Sequence, residues 1–193
     1  RLLIFRECKN VEVDNVTFRN AANWVTMYDQ CENVKVNNVR IQSTAFWNND
    51  GIDIVDCDGF LLTNSYGNSS DDAICLKSHS AKKLCQNIEV RNCTARSSAS
   101  GIKFGTMGAG GFKNVKIINN TVYDTYRSAI TIQSVDGGIC EDILVDSLFA
   151  TNVGNAIYLN IGARRDKQSS MSNITIRNMT CEVAASKPDA GYE

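Results

Sequence analysis

One phrase recurs from one end of the chain to the other. It reads Cys8-Lys-Asn-Val-Glu-Val-Asp-Asn-Val-Thr-Phe18 and again Cys31-Glu-Asn-Val-Lys-Val-Asn-Asn-Val-Arg-Ile41, with further copies starting at Cys57, Cys85, Phe112, Cys140 and Met171. A second phrase interleaves with it: Trp24–Met27, Gly51–Ile54, Ala73–Leu76, Gly101–Phe104, Ala129–Ile132 and Ala156–Leu159. Both alternate apolar with polar residues, the period of a strand, and neither has helical spacing. A repeat of this size cannot bury its own apolar face. Stacked coils can, each strand pairing in parallel with its counterpart one rung on. The sequence therefore predicts an all-β fold, a right-handed single-stranded parallel β-helix of about seven coils. A leucine-rich horseshoe fits poorly, because Val and Ile total 32 against 9 Leu and no repeat holds a helical stretch. A propeller blade needs more residues than each repeat supplies.

The repeat runs through one domain, residues 1–193. Its first residues, Arg1-Leu-Leu-Ile-Phe5, already read as strand, so the chain is expected to be a piece of a longer protein lacking N-terminal coils and a cap. No signal peptide is seen, and the tail from Ser186 to Glu193, with the only Pro, reads as a loop. Lys and Arg number 20 against 21 Asp and Glu, a net charge of −1. That balance predicts neither a nucleic-acid nor an anionic membrane partner.

The register also reads the cysteines and asparagines. Cys8, Cys31, Cys57, Cys85 and Cys140 share one position, and Cys93 and Cys181 fall on other apolar rows. Stacked side chains that point the same way are awkward to cross-link, so free interior thiols are expected rather than disulfides. Without a Cys-x-x-Cys pair, no zinc site is expected. Asn10, Asn33, Asn87, Asn114 and Asn173 form a turn ladder, and the Asn-x-Ser/Thr triplets read as structural.

One place breaks the pattern. Asn48-Asn-Asp-Gly-Ile-Asp53 opens one coil and Ser69-Ser-Asp-Asp-Ala-Ile74 the next. Aligning Gly51-Ile52 with Ala73-Ile74 puts Asp72 one rung above Asp50, with Asp71 beside them. Lone aspartates cap turns, but three in register crowd like charges and must raise at least one pKa. Carboxylates with separated pKa values are what glycoside hydrolysis uses, one as acid and one as base or nucleophile.

The paired motif, Asn48-x-Asp50-Gly-Ile-Asp-Ile and then Asp71-Asp-Ala-Ile-Cys-Leu-Lys-Ser78, resembles glycoside hydrolase family 28, the polygalacturonase-like enzymes. Gly101–Thr106 and Val135–Gly138 are similar to members of that family too. The resemblance implies a β-helical, metal- and cofactor-independent, secreted or periplasmic enzyme that cleaves pectic polysaccharide or oligosaccharide with inversion. By motif, Asp71 resembles the general acid, Asp50 and Asp72 the pair that activates water, and Asn48 the residue that orders the site. Two family motifs are altered: Ser100 stands where a His is expected, and Thr131-Ile-Gln133 replaces an Arg-Ile-Lys carboxylate clamp.

Strand parity adds substrate-binding candidates. Lys103 points outward between inward Ile102 and Phe104, and Lys77 outward after Leu76. Gln133 stands at the altered clamp, while Tyr158 shares the same face and offers a ring to a sugar. Arg164-Arg165 either close the cleft or face water, His79 reads as a loop residue, and Trp24 and Trp47 as core or cleft wall. Three functions stay open: an inverting hydrolase, a polysaccharide lyase with a Lys base, and a non-catalytic carbohydrate-binding β-helix.

Overall fold

The computed structural model describes residues 1–186; the loop expected beyond them lies outside the described residues. The chain winds as a parallel β-helix of about seven coils, without an α-helix among the described residues. Three stacks of parallel strands form its faces. The first holds Leu3–Arg6, Thr26–Asp29, Ile52–Val55, Ile74–Ser78, Ile102–Gly108 and the segments 130–134 and 157–161. The second starts with Lys9–Asp14, Glu32–Asn37, Asp58–Thr63 and Cys85–Arg91, and the third with Thr17–Arg19, Arg40–Ser43, Tyr66–Ser69 and Thr94–Ser97.

The turns explain the asparagines. The third residue of the first phrase is left-handed in every coil: φ is 52–58° at Asn10, Asn33, Asn87, Asn114, Asp142 and Asn173, and 78° at Gly59. Gly pays no steric cost in that conformation, and Asn and Asp tolerate it best among the rest. A second left-handed row, Asn15, Asn38, Asn64, Asn92, Asn119, Ser147 and Asn178, turns the chain from the second face to the third. The amides then bond along the stack: Asn33 Nδ2 donates to Asn10 Oδ1 at 2.6 Å and Asn114 Nδ2 to Asn87 Oδ1 at 2.7 Å.

Inward residues fill the interior in columns. On the first face Ile52, Ile74, Ile102 and Ile130 lie in one column and Tyr28, Ile54, Leu76, Phe104 and Ile132 in another, all at most 1% exposed. All eight cysteines are free and six are buried. Burial pushes the Cys85 and Cys140 thiols up to about 12, so they remain protonated. A thiol reagent is therefore expected to modify at most Cys8 and Cys181 in the native protein and all eight cysteines after unfolding. A reductant should leave Tm unchanged; a fall would reveal a disulfide.

Candidate active site

The first face carries the site on its outward side. In the turn that precedes each of its strands, successive residues are tied rung to rung. The Gly51 amide donates to the Asp72 carbonyl at 2.9 Å, Ala73 to Ser100 at 3.0 Å and Gly101 to Ser128 at 3.0 Å. Asp50, Asp72, Ser100 and Ser128 thus form one row, and its first two members are stacked as the alignment of Gly51-Ile52 with Ala73-Ile74 predicts. Gly51 is needed here, since a Cβ would lie 2.4 Å from the Ala73 carbonyl oxygen. Just beyond this row, the outward residues of the strands form a column: Met27, Asp53, Cys75, Lys103, Thr131 and Tyr158.

Asp50, Asp71 and Asp72 come together as the sequence predicts, each largely buried. Carboxylate oxygens of Asp50 and Asp72 lie within 4.8 Å of one another. Each faces its own ammonium. Lys77 Nζ donates to Asp50 Oδ2 at 2.8 Å, and Lys103 Nζ to Asp72 Oδ2 at 2.8 Å. The Ser100 amide donates to Asp72 Oδ1 at 3.1 Å, so the residue at the altered His position holds the site through its backbone. The Asp72 amide donates to Asp71 Oδ1 at 2.9 Å, while Ser69 and Ser97 hydroxyls donate to the Asp71 carbonyl at 2.8 and 2.6 Å.

These surroundings separate the protonation states. Burial, reinforced by the charges of Asp50 and Asp72, pushes Asp71 up to about 7. Burial also raises Asp50, with Asp72 adding to it and Lys77 opposing. At neutral pH the site can offer one carboxyl proton beside a lysine-paired carboxylate, the combination acid–base catalysis needs.

Lys77 is more deeply placed than a cleft residue. Its side chain is only 8% exposed, lies 3.4 Å from Asp53 Oδ1 and 3.1 Å from Cys75 Sγ, and sits under the Trp24 ring at 4.6 Å. Its ammonium is committed to Asp50 and Asp53. Burial works against that charge, but Cys75, Asp53 and Asp50 together hold the Lys77 pKa well above its usual value. Asp53, which the motif reading passes over, is fully buried, and desolvation and then Asp50 raise it well above the carboxylate range. Asp50, Asp72 and Cys75 could by type ligate a cation; Lys77 donates to Asp50 Oδ2 and Cys75 Sγ and Lys103 to Asp72 Oδ2, while Asp50 Oδ1 is buried without a hydrogen-bond partner among the described residues.

Of the remaining candidates, Asn48 is exposed and accepts the Trp24 indole N–H at 3.2 Å, whereas neighbouring Asn49 is buried and donates to the Ala21 and Asn23 carbonyls. Gln133 and Tyr158 line an open cleft of ≈ 390 Å³ next to the carboxylates, with Ser100, Lys103, Arg127 and Thr131. Arg164 does not reach this cleft's lining; it forks onto Asp136 at 2.8 and 2.7 Å and clamps a turn. His79 is anchored through its backbone amide to Asp56, 3.0 Å away.

The family model for glycosyl hydrolases family 28 matches residues 1–188. The chain belongs to that family. Among solved structures, this family 28 chain is similar to a hyperthermoactive exopolygalacturonase from Thermotoga maritima. The TM-score is 0.80 at 27% identity, over 92% of this chain and 43% of that one. The chain therefore spans less than half the length of that enzyme. Two structures of the catalytic domain of a GH87 alpha-1,3-glucanase, one with tetrasaccharides and one with nigerose, have TM-scores of 0.41 and 0.36. Their identities are 15% and 13%, over 97% and 96% of this chain and 49% and 48% of theirs. No curated protein matches the chain.

Proposed function

We propose that this family 28 chain is an inverting glycoside hydrolase acting on a pectic polysaccharide or oligosaccharide outside the cytoplasm. The observation that carries it is the cluster of three carboxylates beside the cleft, with Asp71 pushed up to about 7 while Asp50 and Asp72 each face a lysine. Asp71, protonated, donates to the leaving glycosidic oxygen. Asp72 and Asp50 hold a water between them, and Asp72 takes its proton as the oxygen attacks the anomeric carbon from the opposite face. Lys103 and the Ser100 amide fix the Asp72 carboxylate, and Lys77 fixes Asp50. Similarity to the Thermotoga maritima exopolygalacturonase supports the substrate class.

The test is product chemistry. The protein is incubated with oligogalacturonates, and the reducing ends released are followed by proton NMR. The first-formed ends should have the anomeric configuration opposite to that of the bond cut, at a rate indifferent to chelator. An unsaturated product would identify a lyase and overturn the proposal. Altered Ser100, Thr131 and Gln133 favour a second reading, a carbohydrate-binding β-helix without turnover, and binding with no product would select it.

A further inference from the structure

One buried acid has no part in the proposed chemistry. Asp53 stands in the outward column between Met27 and Cys75, and all three residues are buried. Its carboxyl, 0% exposed, meets neither solvent nor sugar. Both of its oxygens lack a hydrogen-bond partner among the described residues, and so does Asp50 Oδ1. Buried acceptors are rarely left empty, because each has lost its water. Three orphaned oxygens in one pocket call for a donor.

The balance of charge says where that donor comes from. Asp50 and Asp53 share the ammonium of Lys77. Its Nζ donates to Asp50 Oδ2 at 2.8 Å and lies 3.4 Å from Asp53 Oδ1 without bonding to it. Of the other groups around the pair, Lys103 is bonded to Asp72 at 2.8 Å, Asp71 and Asp72 are acids, and burial keeps the Cys75 thiol neutral. Two buried negative charges are poorly neutralised by one ammonium, so one carboxyl keeps a proton. Asp50 has the closer lysine, which leaves the proton to Asp53. Desolvation and then the charge of Asp50 push Asp53 the same way, and its carboxyl is within hydrogen-bonding reach of Asp50.

We infer that Asp53 is a positioning residue that works in its protonated form: its carboxyl O–H donates to Asp50 Oδ1 and keeps Asp50 an ionised carboxylate, held in one orientation between Asp53 and Lys77. A carboxylate oxygen accepts more than one hydrogen bond, so Asp50 can still hold the water assigned to it. Asp53 touches neither water nor substrate and acts through Asp50. The inference deepens the hydrolase reading and rests on it for the effect on rate, whereas the hydrogen bond itself requires no turnover.

Carboxyl-carbon NMR of the full chain, labelled at aspartate, follows each acid through a pH titration. In the native protein Asp53 should keep its protonated signal while Asp50 ionises. Asp53→Asn retains a neutral N–H donor and should leave the ionisation constant of Asp50 within about twofold of native. Asp53→Leu keeps most of the volume but has no donor. There the constant should fall about tenfold or more, a rise in the Asp50 pKa, as expected on losing a hydrogen bond to a charged group. In oligogalacturonate cleavage the acid limb, where Asp50 takes up its proton, should move to higher pH in Asp53→Leu and stay in place in Asp53→Asn. Damage to the fold alone would lower the rate at every pH alike. An Asp53 signal that ionises ahead of Asp50, or an Asp50 that ionises more readily in both variants, would mean that Asp53 is charged and would overturn the inference. So would an Asp50 titration unmoved in Asp53→Leu. Should Asp53→Leu fail to fold, the native and Asp53→Asn titrations decide alone. A displaced Asp50 titration in a protein whose native form cleaves no glycan would leave the hydrogen bond standing and remove the hydrolase. Cleavage with the same acid limb in native and both variants would do the reverse.

Discussion

Asp71→Asn is expected to lower kcat by about 10²–10⁴-fold, the usual contribution of a positioned general acid, while the protein stays folded. An amide keeps the shape and the acceptor for the Asp72 amide, but it has no acidic proton for the leaving oxygen. If Asp71 is the general acid, hydrolysis by the native protein falls as pH rises through about 7, where Asp71 gives up that proton. The variant's residual rate should show no such limb. In stability the substitution should be a gain. The folded pKa of Asp71 lies above its unfolded value, so between pH 3.8 and about 7 the folded state holds the extra proton and stability falls as pH rises. Asparagine removes that fall, a gain of at most ~4 kcal/mol at alkaline pH. Denaturant titrations of both proteins at acid and alkaline pH, beside the pH–rate profile, check the prediction. Full activity in the variant, or an alkaline limb that persists in it, would show that the acid is another group.

Much of this site could be read from strand parity alone, and the residues missed obey the same rule. The register that aligns Gly51-Ile52 with Ala73-Ile74 brings Asp50, Asp71 and Asp72 together because each coil adds one rung of hydrogen bonds to the last. Parity nominated Lys103 by its place between Ile102 and Phe104. Applied to Ile52 and Ile54 it selects Asp53, and applied to Ile74 and Leu76 it selects Cys75; both stand in the Lys103 column.

What periodicity cannot carry is depth. Trp24 covers Lys77 from two coils away, and no repeat pattern says which outward residue another coil will roof over. For the same reason Arg164 was legible as a nearby charge but not as the partner of Asp136, a contact made by turns whose paths the repeat does not fix. The first asparagine row was legible as a ladder and the second was not; the left-handed φ values supply the reason for both, since each marks a corner of the coil.

Lys77→Met should cost about 3–5 kcal/mol, the usual penalty for stripping one partner from a buried ion pair. For a chain of this length that lowers Tm by on the order of 10 °C. Methionine fills most of the volume beneath Trp24, so lost packing is not the main effect. The damage is electrostatic. Asp50 and Asp53, 2% and 0% exposed, would share a dry pocket without the ammonium that now sits 2.8 and 3.4 Å from them. Their only relief is to take up protons, which ties the penalty to pH. Both folded pKa values are already raised, and removing the cation raises them further. The variant should therefore approach the native stability under acid conditions and fall away as pH climbs toward neutrality. In the native protein Lys77 itself has a raised pKa, so its own contribution holds through neutrality and disappears only above the usual lysine range. Asp53→Asn provides the control. Burial and Asp50 already favour the protonated form of Asp53, so the amide should change stability by less than ~1 kcal/mol near pH 7. Combined with Lys77→Met it should restore little, because Asp53 is already protonated and the stranded charge is that of Asp50. Unfolding curves for the three variants across the pH range test this directly. A Lys77→Met protein as stable as the native one at neutral pH would mean that its ammonium does not neutralise the pair, and the account of how Asp50 is held charged at the cleft would have to be abandoned.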